Sequence, residues 1–97
     1  MLIDKIKQAL RIVVSDYDGE IYGLMASAFA DLGITNINPA LLEEGDPLID
    51  RAVITYCKMN FGYLSNDQYQ KFKASYDEQK AQLLMSSKYT DWSVSNA

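Results

Sequence analysis

Apolar residues along this chain recur at three- and four-residue intervals, and the breaks between the runs divide it into helices. The stretch from Pro47 to Gly62 carries the fullest pattern. Leu48, Ile49, Ala52, Val53, Tyr56, Cys57 and Asn60 keep helical spacing, with only Asn60 polar. Ile54, Met59 and Phe61 widen that stripe past one face, while Asp50, Arg51 and Lys58 leave a narrow wet edge. Asp46 is placed as the N-cap, Pro47 as the first helical residue and Gly62 just past the end. A helix apolar on most sides needs neighbours all round, so the spacing predicts a central helix at about 47–62.

Three further helices are predicted around it. Leu2, Ile3, Ile6, Leu10 and Val13 give a short amphipathic helix over Leu2–Leu10, ended by the β-branched run Ile12-Val13-Val14. A second runs from about Asp18 to Leu32, capped by Asp18 or Asp16, with Glu20 at the positive end of its dipole and Gly33 as left-handed terminator. Ile21, Leu24, Met25, Ala28 and Leu32 form its buried stripe. Tyr22, Ala26, Phe29 and Ala30 make a second, weaker apolar face, and small Ala26, Ser27, Ala28 and Ala30 admit close approach of another helix. Ile34–Gly45 reads as a connector, with at most one helical turn at Ala40–Glu43. Ser65-Asn66-Asp67-Gln68 has the form of a capping box opening a fourth main helix, which carries Tyr69, Phe72, Tyr76 and Leu83 inward down to about Ser86. From Ser87 to Ala97 the pattern dissolves into small polar residues holding two aromatics, Tyr89 and Trp92. The expected fold is all-α: four main helices forming a helical domain over 1–86, and a flexible tail over 87–97.

Composition narrows the class. Ninety-seven residues, 48% of them hydrophobic, suit one globular domain. No apolar run approaches the ~20 residues of a membrane span. Asp4 stands where a signal peptide would carry basic charge, and the single cysteine cannot form an internal disulfide, so a cytoplasmic chain with Cys57 as a buried structural thiol is expected. Net charge is −4, but its placement matters more: Ile12 to Asp50 holds eight acids and no base. Such a field repels phosphate and disfavours nucleic-acid binding.

Catalytic chemistry finds no foothold. Histidine is absent, and there is no P-loop, G-x-G-x-x-G, C-x-x-C or G-x-S-x-G. Asp16-Tyr17-Asp18-Gly19-Glu20 is the nearest approach to a cation site, yet its glycine comes too early for a calcium loop and its twelfth residue is Ser27, so helix capping is the expected role. Neither an enzyme nor a metal or cofactor is expected. The aromatic residues of the fourth helix match a core-facing stripe better than a base-stacking platform. Trp92 in a polar tail is either an interface anchor or incidental.

Four motifs in order resemble the small head–tail connector (adaptor) proteins of tailed phages and prophages. They are Leu10-Arg11-Ile12 followed by Asp16-Tyr17-Asp18; the helix Glu20-Ile21-Tyr22-Gly23-Leu24-Met25-Ala26-Ser27-Ala28; Pro47-Leu48-Ile49-Asp50-Arg51-Ala52-Val53, running through Tyr56 to Phe61-Gly62; and Tyr76-Asp77-Glu78-Gln79-Lys80-Ala81-Gln82-Leu83-Leu84. The chain departs from the family pattern at Phe61-Gly62-Tyr63, where an arginine often follows the central helix.

The resemblance implies a structural virion protein at the head–tail interface, present in the host cytoplasm during assembly. It would form a ring of its own copies beneath the portal, with the tail or a stopper protein attached below. DNA would pass through without specific binding, beside acidic residues facing the channel or rim (Asp16, Asp18, Glu20, Glu43 and Glu44). Tyr89 and Trp92 would dock to the portal. From a different class, the chain also suits a small cytoplasmic regulatory module that binds a partner helix in a groove. A helix-turn-helix reader using Ser65–Leu84 is the poorer third reading.

Overall fold

The computed structural model describes residues 2–42, 45–62 and 64–90. Those residues form six helices and no strand: α1 (Leu2–Leu10), α2 (Asp18–Ile34), α3 (Pro39–Leu42), α4 (Pro47–Asn60), α5 (Asn66–Met85) and α6 (Ser87–Thr90). The four expected main helices are α1, α2, α4 and α5. The all-α bundle is therefore the fold, with two single-turn helices added to it.

Helix α4 lies at the centre. It packs most extensively on α5, then on α2, then on α1. Ile49, Ala52, Val53 and Cys57 are fully buried along it, facing Ile6 of α1, Ile21, Ala28 and Leu32 of α2, and Leu83 of α5. Burial pushes the Cys57 thiol up to about 11, as suits a packing residue and not a nucleophile. Its start is built as the sequence predicts. The Asp46 carboxylate accepts from the backbone N–H groups of Leu48 (2.9 Å) and Ile49 (3.4 Å), Pro47 is the first helical residue, and Gly62 beyond the end has φ +72°.

Two positions on α4 exchange their expected places. Asp50, read as part of the wet edge, is buried and pairs with Lys5 of α1 at 3.5 Å. Leu48, counted in the apolar stripe, is exposed. Position 50 shares a face with Val53 and Cys57 and lies under α1, so an acid there is tolerated because α1 supplies a base.

Helices α1 and α2 end by one device. Arg11 and Asn36 occupy the left-handed region, at φ 59° and 75°. Behind each, two backbone bonds close the last turn: Arg11 N–H to Gln8 and Ile12 N–H to Lys7 in one, Asn36 N–H to Gly33 and Ile37 N–H to Leu32 in the other. The terminator of α2 is thus Asn36 and not Gly33, which stays helical. Asparagine enters the left-handed region at modest cost, and Ile37 beyond it is fully buried, which draws the chain onward. The predicted capping box at the start of α5 is complete: Gln68 N–H donates to Ser65 Oγ, and Ser65 N–H to Gln68 Oε1, both at 3.2 Å.

Candidate partner-binding surfaces

At the N-terminal end of α2 the acids divide into two kinds. Asp18 is the first helical residue and pairs with Lys7 at 2.8 Å. Neither it nor Asp16 caps the helix: the cap position is Tyr17, with no side-chain capping bond. Lys7 claims the carboxylate that the cap would have used, and the favourable dipole alone serves the helix start. Asp16 and Glu20 are exposed and carry no ion pair among the described residues. The loop between α1 and α2 is held from both sides. Tyr17 stands edge-on to Phe61 with ring centres 5.6 Å apart, and the Lys7–Asp18 pair ties α1 to α2. Between these ties Val13 is 94% exposed and Val14 half-exposed.

Tyr89 is not on the surface. The sequence pattern places it in a flexible tail, but Ser87–Thr90 forms α6 and Tyr89 is only 4% exposed. Asn38 N–H donates to the Tyr89 carbonyl at 2.7 Å. The Tyr89 hydroxyl lies 2.9 and 3.1 Å from the two carboxylate oxygens of Asp46, the residue that caps α4. Lys88 Nζ sits 3.6 Å from the same carboxylate and 5.3 Å from the Tyr89 ring centre. Burial pulls the Asp46 carboxyl up, but the Tyr89 hydroxyl, the Ile49 and Leu48 N–H groups and Lys88 outweigh it and leave the group below its ordinary value. The Tyr89 hydroxyl is raised, first by burial and then by the Asp46 carboxylate. Sequence periodicity misses this turn because four residues with one apolar member have no period to detect. Trp92, Glu43 and Glu44 lie outside the described residues.

A third surface is built by three helices together. Helices α1, α4 and α5 leave an open groove of about 440 Å³ between them. Ile54 and Phe72 are half-buried in its floor, and Lys5, Arg51 and Lys58 stand along it. Lys58 lies 5.7 Å from the Phe72 ring centre. Gln79 also lines the groove, and its Oε1 is buried with no donor among the described residues. The sequence shows only its basic edge: Arg51 and Lys58 are seven residues apart and so share one side of α4. On the other side of the bundle, α5 is tied to α2 through Asp31, which accepts from the Tyr76 hydroxyl at 2.5 Å and from Lys80 at 3.3 Å.

Among the described residues no group of three or more His, Cys, Asp or Glu could hold a metal ion. No described helix is long and apolar enough to cross a membrane. What the surfaces offer is contact: an acidic apolar loop, a basic groove, and a C-terminal turn locked to the central helix.

Compared with known proteins, residues 2–90 match the model of a family described as phage connector protein, a span that takes in α1 through α6. No curated protein and no solved structure matches the chain.

Proposed function

From the premise that this chain belongs to the phage connector protein family, we propose that it is a head–tail adaptor, forming a ring of copies beneath the portal around the DNA channel. The observation that carries this reading is the extent of the match, which takes in every described helix. The role is structural: the protein bridges the portal above and a tail or stopper protein below, within the virion. Net charge −4 suits a ring that DNA slides past, since a negative surface gives the phosphates nothing to hold. The exposed acid Glu20 stands on the rim of that ring.

Docking to the portal falls to the end of the chain. Tyr89 anchors the base of this segment to the cap of α4, and Trp92, two residues beyond α6, supplies the apolar area an interface anchor needs. The genetic test is deletion of the gene from the phage or prophage that carries it. The expected result is DNA-filled heads that fail to join tails, with joining restored by the intact gene. Normal infectious particles lacking the protein would overturn the reading.

A further inference from the structure

The α1–α2 loop and the α1–α4–α5 groove are complementary in charge and in apolarity. The loop presents Val13, almost wholly exposed, beside Asp16 and Glu20, which carry no ion pair among the described residues. An aliphatic side chain so exposed on a loop pinned by Tyr17–Phe61 and Lys7–Asp18 is held in place at no gain to its own fold. The groove has what that loop lacks. Its Ile54–Phe72 floor is apolar, and its charged side chains are Lys5, Arg51 and Lys58 against the single acid Asp50, which Lys5 already pairs. Glu78 adds a second acid on an adjoining hollow that shares Arg51 and Gln79.

We propose that the Val13–Tyr17 loop of one copy seats in the groove between α4 and α5 of the next. Val13 covers the Ile54–Phe72 floor and Asp16 meets Arg51 and Lys58. Loop and groove are different surfaces, so the contact is head-to-tail, the type that generates a ring when its rotation closes. This rests on the adaptor reading and names the copy-to-copy joint within it. Arg51 and Lys58 on the receiving side stand just after the stretch Ile12–Asp50, which holds eight acids and no base, so the two surfaces carry opposite charge.

The test is sedimentation velocity of the full chain over a concentration series at low ionic strength, together with counting the copies bound to portal-containing heads. Val13→Ser and Arg51→Glu should each weaken self-association at least about tenfold, because each removes a central contact from an otherwise intact protein. Asp16→Arg combined with Arg51→Glu should recover most of the loss. On heads, the single variants should bind in reduced number. Unchanged self-association in both single variants overturns the inference, as does a chain that fails to associate both in solution and on heads. If Arg51→Glu abolishes head binding yet leaves self-association intact, the groove serves a different protein and the inference also falls. Self-association that follows the swap pattern, in a chain that does not bind heads, upholds the joint and removes the adaptor reading instead.

Discussion

Helices α2 and α4 both carry long apolar stretches, yet they spend them differently. In α4, Ile49, Asp50, Ala52, Val53, Thr55 and Cys57 are all buried, and the helix is enclosed by α1, α2 and α5. In α2, three residues longer and without a charge between Glu20 and Asp31, only Ile21, Ala28 and Leu32 are buried. Its other side leaves Tyr22, Gly23, Ala26, Ser27 and Ala30 exposed, and the loop before it adds Val13 and Val14. One helix holds the fold together and the other lines the outside with residues the fold does not use. Surface left over in this way is free to contact other proteins without cost to the fold.

The sharpest way to break this contrast is to place the same charge on each helix. Val53→Asp buries an unpaired carboxylate at a fully enclosed site and should cost about 4 kcal/mol or more, most of a small domain's stability. Thermal melts by circular dichroism should show no cooperative transition. Ala26→Asp on the outer side of α2 should change stability by about 0.5 kcal/mol at most. If Ala26→Asp unfolds the chain, the outer side of α2 belongs to the core and the contrast disappears.

The C-terminal turn comes next in size. Tyr89→Phe removes a buried hydroxyl from a carboxylate and should cost about 1.5 kcal/mol, lowering the melting temperature by about 5–10 °C. Deleting residues 87–97 should cost more, because the buried ring is lost as well. Deleting 91–97 leaves the Asp46–Tyr89 contacts intact and should move the melt by far less. Equal effects from the two deletions would contradict the anchoring role of α6.

A smaller effect follows from the same carboxylate. Asp46 is held below its ordinary value of 3.8 in the folded chain, so it favours folding while ionised. Its contribution is complete above the unfolded value and is lost as pH falls through the folded one. Stability should therefore drop below about pH 4, and Asp46→Asn, which keeps a capping oxygen, should flatten that drop. Smallest of all, Arg11→Gly relieves a left-handed residue and should stabilise by about 0.5 kcal/mol, the relief being partly offset by the freedom glycine gains when unfolded.

Much of this architecture is legible in the sequence, and the reasons are local. The caps at Asp46 and Ser65 and the terminator Gly62 are read directly because side chain and backbone meet within three residues. The centrality of α4 is read from the width of its stripe. What escapes is decided by residues far apart. Asp50 is buried because Lys5 faces it, and Tyr89 is buried because Asp46 lies 43 positions away with two oxygens to offer. The groove combines α1, α4 and α5, so no single stretch announces it. The acids at 16 and 18 look alike in sequence, and only the position of Lys7 separates the paired one from the free one.

A protein that joins others at the phage head–tail junction must bind the portal, and co-sedimentation with portal complexes of the same phage or prophage reads that binding directly. The full chain should pellet with the portal in saturable fashion. Trp92→Ala should weaken that binding by ~2 kcal/mol, the scale of an interface hot spot. A folded chain that stays in the supernatant at every concentration, with or without its own self-association, would contradict it.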